Sequence, residues 1–336
     1  MFLSLKWHDF VNKMTGNKSS KKILSLMIAA AAAIAVCFAA VPYNAYAQDL
    51  TYHETEIEAS SELKESMKER KGTAKIGIKG KTDQEGLQQI IGRVIGEATE
   101  HTGEPDEGDY ILFQYASYKG QARTEIAGVS PVVEIEYDLS YYDDAEQEAE
   151  VDTKVTEILK ELDLENKTDY EKVSAIRDYI CDNVEYETDS GRNDIARTAY
   201  GALIEGRALC QGYSVSLYRL LLEAGIDNRI IFGEGVAPDG TTGSHTWNIV
   251  ELYGKYYYMD ITWDDAARGR DYFLVPAGSG FEDEHKAGDQ YKEESFTERY
   301  PMADEVFDTK IEGLLSSLEG IASSITDSMK QLFKGK

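Results

Sequence analysis

The chain has 336 residues, of which 42% are hydrophobic and 10% aromatic, so it can bury a substantial core and is not expected to be disordered throughout. Its formal net charge of −26 at pH 7 excludes nucleic acid as an expected partner, because binding nucleic acid normally requires a basic face. A solvated acidic surface is sufficient to explain this charge.

The first 47 residues differ in composition from the rest. A lysine-bearing stretch at 13–22 precedes an apolar run at 23–41, and the small-x-small sequence Ala45-Tyr46-Ala47 follows. This order is typical of a secretory signal peptide, whether translation starts at Met1 or Met14. We expect residues 1–47 to be removed and the protein to be secreted or held at the cell surface. An uncleaved membrane anchor is the alternative, because the apolar run is long enough to span a bilayer.

Residues 48–142 are predicted to form a small α+β region of unknown role. A helix is expected around Ser60–Arg70, and a second helix follows Thr82 and Glu85, which have the spacing of a capping box. Tyr110–Tyr115 is predicted to be a strand. Apolar and acidic residues alternate from Val133 to Leu139, which predicts a strand with one buried face.

The acidic residues 143–150 are predicted to be a linker, and residues 151–300 a second α+β domain. Apolar residues recur at helical spacing over 151–162, and Thr168 with Glu171 forms another capping box. Cys181 lies beside the apolar stripe of that helix, so it is expected to pack rather than to react or form a disulfide. A short helix is expected at Ala196–Glu205.

Cys210 opens the next predicted helix, which ends at Gly225. Free N–H groups and the macrodipole at a helix N-terminus favour a thiolate over a thiol. A reactive thiolate also needs a neighbouring imidazole and a third group that orients this imidazole. Four predicted strands follow, at Asn228–Phe232, His245–Leu252, Lys255–Trp263 and Asp271–Val275. Residues 233–244 are rich in Gly, Pro and Thr and are predicted to be a loop.

The turn at Tyr253-Gly254 determines how the second and third of these strands pair. A tight turn pairs Leu252 with Lys255, so His245 and Asp260 become diagonal neighbours on one face, about 7–8 Å apart between backbones. A slip of one residue would place them on opposite faces. The predicted register is therefore compatible with a contact between His245 and Asp260.

Three ordered motifs carry a family resemblance. They are Gly-x-x-x-Cys-x-Gly-Tyr at 206–213, His-Thr-Trp-Asn at 245–248 and Tyr-Tyr-Met-Asp-Ile-Thr-Trp at 257–263. Over about residues 165–276 the chain resembles the transglutaminase-like superfamily. The resemblance implies a papain-like α+β core in which a helix bearing the cysteine packs on an antiparallel sheet bearing histidine and aspartate. It also implies that Cys210 is the nucleophile, His245 its base and Asp260 the group that orients the base.

The sequence departs from this family in two ways. Animal transglutaminases use a tryptophan upstream of the cysteine to stabilise the oxyanion, and no tryptophan occupies such a position here. The backbone N–H of Cys210 remains as one donor, and Tyr186 and Gln211 are candidates for the second. The chain also lacks a calcium loop of the Asp-x-Asp-x-Asp-Gly kind, and we predict no required metal or cofactor.

The resemblance implies a protein or peptide substrate that bears a glutamine or another amide. Trp247, Tyr258 and Trp263 flank the predicted hairpin and are candidates for substrate binding, although a core position is equally compatible with them. With the loop 233–244 closing over these aromatic residues, transfer of the acyl group to a primary amine is favoured slightly over hydrolysis. The alternative from another class is a catalytically silent binding or scaffold module at the cell surface.

Two further expectations concern the C-terminal part of the chain. His285 lies between charged neighbours and is expected on the surface. Residues 301–336 are predicted to form an amphipathic helix, which docks on the protein itself, on a partner or on a membrane surface.

Overall fold

The computed structural model describes residues 50–237 and 240–310, which form two adjoining α+β units. The N-terminal unit has four strands and three helices: β1 (Tyr52–His53), α1 (Glu56–Lys68), β2 (Thr73–Lys79), α2 (Gln84–Ala98), α3 (Asp109–Gln114), β3 (Tyr115–Ala127) and β4 (Ser130–Tyr141). The strands form one sheet in the order β1-β2-β4-β3. Apolar residues of α1, α2 and the sheet make its core.

Several sequence predictions for this unit are confirmed and two are wrong. The alternating residues Val133–Leu139 lie in β4, and their apolar members are buried. Tyr110–Tyr115 is not a strand, because residues 109–114 are helical. The helix α2 is capped by Asp83, whose side chain accepts from the N–H of Gly86, rather than by Thr82.

The predicted linker at 143–150 is also wrong, because most of it is helical. The side chain of Asp144 accepts from Gln147 N, and the side chain of Gln147 accepts from Asp144 N. This capping box starts a helix at Ala145 that runs to Leu162. The acidic run is therefore the solvated first turns of a helix.

The second unit begins with this helix. Its elements are α4 (Ala145–Leu162), α5 (Asp169–Asn183), β5 (Glu185–Tyr186), α6 (Ala199–Leu203), β6 (Arg207–Ala208), α7 (Cys210–Glu223), β7 (Asn228–Val236), β8 (Thr242–Leu252), β9 (Lys255–Met259), α8 (Ile261–Ala267), α9 (Phe281–Glu284), β10 (His285–Ala287) and α10 (Glu294–Arg299). The capping box of Thr168 and Glu171 at the start of α5 is confirmed. A four-stranded antiparallel sheet has the order β10-β7-β8-β9.

Side chains alternate between the two faces of the sheet along each strand. Each face packs against its own cluster of buried residues. Ile230 and Val250 face the helix α7, which is buried along its length. Ile231 and Trp247 face the opposite way, against a smaller cluster that includes Phe281. The antiparallel sheet with a buried helix against it is the α+β core that the sequence predicts.

The hairpin register is confirmed, but the strand ends differ from the prediction. Leu252 pairs with Lys255, and Asn248 pairs with Met259. The third strand ends at Met259 rather than at Trp263. Residues 233–236 and 242–244, predicted as loop, extend the ladder of β7 and β8. Of the predicted strand 271–275, Val275 makes an isolated bridge to Tyr258.

The predicted C-terminal helix lies mostly outside the described residues. Residues 301–308 are not helical, Thr309 and Lys310 are helical, and the rest of the prediction falls at 311–336, outside the described residues. Within the described ranges, no helix is both long and apolar enough to cross a membrane. The predicted signal peptide also lies outside these ranges.

Candidate active site

Cys210 is the first residue of the 14-residue helix α7. The chain reaches it from a turn at Gly206 (φ 69°), and the N–H of Leu209 donates to Ala196 O at 2.8 Å. Gly212 allows this close packing, because a Cβ there would lie 2.4 Å from Ala196 O. The Cys-x-Gly spacing therefore lets the start of helix α7 pack closely against Ala196.

His245 and Asp260 are in direct contact, as the hairpin register predicts. The distance from His245 Nε2 to Asp260 Oδ2 is 2.6 Å, and both side chains are almost fully buried. The Cys210 thiol lies close enough to His245 and Thr246 for both residues to lower its pKa. The structure thus brings Cys210, His245 and Asp260 together in one row.

Asp260 is held by four donors. It caps helix α8, where its Oδ1 accepts from Thr262 N at 3.0 Å and from Trp263 N at 3.1 Å. Its Oδ2 accepts from His245 and, at 2.9 Å, from His285 Nε2. A buried carboxylate with four hydrogen bonds can remain ionised, because each of its lone pairs has a partner.

The contacts along this row shift the pKa values of all three groups. Burial alone would raise the pKa of Cys210, but its interactions with His245 and Thr246 lower it below 9.0. Burial opposes the charged form of His245, yet Asp260 and Cys210 raise its pKa to about 10. Burial likewise opposes ionisation of Asp260, and the facing imidazoles lower its pKa below 3.8. These directions favour a thiolate–imidazolium pair next to an ionised carboxylate.

Cys181 lies in a different environment. Its Sγ faces Ile261 O at 3.7 Å, and burial, ahead of its charged neighbours, raises its pKa to about 12. Neither Cys181 nor Cys210 forms a disulfide. Cys181 therefore packs against the core, as the sequence predicts.

His285 is the residue that the sequence analysis missed. It was expected on the surface, but its side chain is fully buried and contacts Asp260. Its neighbours Glu284 and Lys286 are charged, and this short edge strand shows no apolar alternation. We find no sequence pattern that would have indicated the burial of His285.

The three candidate substrate-binding residues and the two candidate oxyanion donors lie in different places. Trp263 stacks on His245, with ring centroids 5.1 Å apart. Tyr186 is 47% exposed, and its phenol is close enough to Cys210 for the two groups to interact electrostatically. Trp247 is buried, and Tyr258 stacks on Phe281 at 4.5 Å.

The side chain of Gln211 is already engaged by protein groups. Its Nε2 donates to Phe113 O, and its Oε1 accepts from Arg197 at 3.3 Å. Of the two candidates for the second oxyanion donor, Tyr186 therefore has the freer side chain.

One cluster has the donor set of a metal site. Ligand atoms of His245, Asp260 and His285 lie within 4.8 Å of one another. A tetrahedral zinc site with bonds of about 2.0–2.1 Å would separate its ligand atoms by about 3.3 Å. The separations of 2.6 and 2.9 Å between nitrogen and oxygen are shorter than that and are ordinary for charge-assisted hydrogen bonds. The cluster is therefore best described as a hydrogen-bond network.

A helix that begins with a cysteine and packs on an antiparallel sheet, with histidine on one strand and aspartate directly after the next, defines the papain-like class of α+β fold. Residues 156–261 match the family model of the transglutaminase-like superfamily. The predicted resemblance is thus confirmed, and this part of the chain is a transglutaminase-like domain.

Two curated relatives each match about a third of the chain. The kyphoscoliosis peptidase of Mus musculus is 27% identical over 129 residues, which cover 34% of this chain and 18% of the relative. The kyphoscoliosis peptidase of Homo sapiens is 28% identical over 123 residues, covering 32% and 18%. The alignments therefore span about a fifth of the length of these curated relatives. A solved structure of a TGase covers 56% of this chain and 51% of its own at 13% identity, with a TM-score of 0.32.

Proposed function

We propose that this protein is an exported thiol enzyme that attacks peptide or glutamine side-chain amides and forms a Cys210 acyl-enzyme. The observation that carries the proposal is the row in which Cys210 interacts with His245 and His245 Nε2 lies 2.6 Å from Asp260 Oδ2. This row combines a nucleophile at a helix start, a base and a group that orients the base.

The first half-reaction follows from these positions. The Cys210 thiolate attacks the amide carbonyl carbon, and a carbon–sulfur bond forms. The carbon–nitrogen bond then breaks, and the leaving amine takes a proton from the His245 imidazolium. In the second half-reaction, an acceptor gives a proton to His245 and attacks the thioester, which releases the thiolate.

The oxyanion that forms in each step needs donors. The N–H of Cys210 lies in the first turn of α7, where N–H groups have no acceptor within the helix. The Tyr186 hydroxyl is our proposed second donor. Burial, followed by the nearby Cys210, raises the pKa of Tyr186, so the phenol keeps its proton and can donate.

We propose water as the main acceptor, which differs from the preference expected from the sequence. That preference required aromatic walls and a flap at 233–244. Trp247 is instead buried, Tyr258 stacks on Phe281, and most of the flap is strand. Trp263 is the candidate that stacks on His245. The name peptidase of the mouse and human relatives agrees with hydrolysis. Transfer to a primary amine is the second candidate, and the stacked Trp263 favours it.

The test is mass spectrometry of a glutamine-bearing peptide library incubated with the protein, with and without a primary amine. If the yield of cleaved peptide or glutamate is unchanged at tens of millimolar amine, the result supports hydrolysis. Formation of substituted amides would show transfer. Cys210→Ala should abolish every product, and product from that variant would refute the nucleophile. The absence of product from the wild type, with a normally reactive Cys210, would favour the silent binding module.

A further inference from the structure

Two imidazoles share one oxygen atom of Asp260. The Nε2 atoms of His245 and His285 lie 2.6 and 2.9 Å from its Oδ2. An ionised carboxylate can only accept hydrogen bonds, so each Nε2 must be the donor. The contact of His285 is therefore a directed hydrogen bond to the group that orients the base.

The ring of His285 is fixed from several sides. It stacks on Phe281 with ring centroids 3.8 Å apart and an angle of 11° between the planes, and Trp263 lies 4.4 Å away. Its Nδ1 faces Phe281 O at 3.2 Å. The side chain has no solvent-exposed surface, so few other orientations are open to it.

The backbone also places His285 at this point. Strand β10 pairs with β7, and His285 is opposite Gly235. A Cβ at Gly235 would lie 3.0 Å from Trp263 Cζ2 and 3.3 Å from His245 Cβ. The glycine thus provides the space in which His245, Trp263 and His285 converge.

We propose that His285 is a positioning residue, which holds the Asp260 carboxylate so that Oδ2 faces His245 and the imidazole of His245 faces Cys210. The proposal deepens the thiol-enzyme function and rests on it. His285 lies beyond residues 156–261, the part of the chain that matches the family model.

The physical reason is the freedom of a carboxylate about its last torsion, which has broad and roughly two-fold minima. Without His285, one lone pair of a buried oxygen loses its donor, and the carboxylate can turn to find another. The ring of His245 would turn with it. Small misplacements of reacting groups can lower rates by about 10²-fold, so we expect a loss of about 10- to 100-fold in kcat with little change in KM.

Two variants separate the hydrogen bond from the packing. His285→Gln keeps an N–H donor near the position of Nε2 but loses the aromatic ring, whereas His285→Phe keeps the ring and loses the donor. The readouts on the full chain are kcat, KM and the rate at which iodoacetamide alkylates Cys210, with near-ultraviolet circular dichroism to verify the fold. We expect His285→Gln to stay within a few-fold of the wild type and His285→Phe to lose about 10- to 100-fold in kcat and alkylation rate.

The opposite ranking, with His285→Phe active and His285→Gln impaired, would show a packing role and overturn the proposal. Equal losses in the two variants, or wild-type rates in both, would overturn it as well. Alkylation of the wild type separates this result from the proposed function, because it requires no substrate. If wild-type Cys210 reacts no faster than Cys181, the thiol-enzyme function itself fails. If it reacts faster and His285→Phe is unaffected, the positioning role alone fails.

Discussion

Arg229 and Asp109 form a bidentate salt bridge between the two units of the protein. Arg229 Nε donates to Asp109 Oδ2 at 2.7 Å, and Nη2 donates to Oδ1 at 2.9 Å. Asp109 Oδ2 also accepts from Ile230 N at 2.8 Å. Because Arg229 lies on β7 and Asp109 starts α3, this bridge joins the sheet of the site to the N-terminal unit.

Removing the carboxylate should therefore destabilise the protein. We expect Asp109→Ala to lower the free energy of unfolding by about 3–5 kcal/mol, because Arg229 would remain buried without its counter-charge. Urea unfolding followed by circular dichroism measures the change. The control is Glu125→Ala, which removes one of the two carboxylate partners of Arg123 in a half-exposed pair and should cost at most about 1 kcal/mol. Equal effects of the two substitutions would contradict the role assigned to the bridge.

The two cysteines should differ in how their alkylation depends on pH. The pKa of Cys210 is lowered by His245 and Thr246 against the effect of burial, so its rate should rise at a pH below 9.0, the ordinary thiol value. Burial, ahead of other causes, raises the pKa of Cys181 to about 12, so this thiol should react slowly throughout. Iodoacetamide labelling with peptide mapping from pH 5 to about 10 measures both. Superimposable profiles would refute the assignment of Cys210 as the nucleophile.

The imidazolium partner gives the same site a stability that depends on pH. The pKa of His245 is raised from 6.5 to about 10 because Asp260 and Cys210 outweigh burial. A raised pKa stabilises the folded state fully below the unfolded value, and this contribution is lost as pH rises through the folded value. The lowered pKa of Cys210 offsets this change up to about pH 9.0, the ordinary thiol value, because the folded thiol has already released its proton. Urea midpoints should therefore decrease between about pH 9 and 10 more steeply for the wild type than for His245→Gln. Parallel curves over that range would mean that His245 is not charged in the folded protein.

Tyr186→Phe tests the proposed oxyanion donor, because it removes only the hydroxyl. Loss of one such donor typically costs about 10²–10³ in kcat, and we expect an effect at the lower end with KM nearly unchanged. Tyr52→Phe is the control, since its hydroxyl donates to Glu134 in the N-terminal sheet. Steady-state kinetics on a cleaved peptide measures both variants. A change confined to KM for Tyr186→Phe would indicate substrate binding instead.

Gly233→Ala should disturb the edge of the sheet that carries His285. A Cβ there would lie 2.2 Å from Lys286 O and 2.9 Å from Trp247 Cη2, so β10 would have to move. Overpacking of this kind costs about 1–3 kcal/mol, and the alkylation rate of Cys210 should decrease with it. Gly243→Ala on β8 is the matched control, because a Cβ there meets nothing within 4 Å. Comparable losses in both variants would point to strand propensity rather than to the contact.

Export predicts that the mature chain begins near Gln48, because Ala45-Tyr46-Ala47 fits the small-x-small pattern of a cleavage site. Amino-terminal sequencing of protein recovered from the medium or the cell surface is the measurement. Recovery of intact residues 23–47 in a membrane fraction would instead show an anchor.

The sequence predicts the contact between His245 and Asp260 well, because strand pairing has a period of two and the turn at Tyr253-Gly254 fixes the register. It predicts the end of the third strand poorly. Asp260 lies between apolar neighbours and looks like a strand residue, whereas its side chain caps a helix by accepting from Thr262 and Trp263. Strand and cap are both compatible with this local sequence, and the tertiary contacts with the two histidines decide between them.

A short apolar run and a charged run also have a different secondary structure from the one that their composition predicts. Tyr110–Tyr115 has the composition of a strand, but such a run cannot be distinguished from a buried helical turn by periodicity. The acidic residues 143–150 look like a linker, although a charged run is equally the solvent face of a helix. His285 could not be predicted, because its burial depends on β10 pairing with a strand about 50 residues earlier in the chain.

The nucleophile and its base belong to different layers of the fold, since Cys210 starts helix α7 and His245 lies on strand β8. The interaction of Cys210 with His245 therefore crosses from the helix to the sheet. Any separation of the helix from the sheet would weaken this interaction and return the pKa of the thiol towards its ordinary value. The pKa of Cys210 thus depends on how closely helix α7 packs on strand β8.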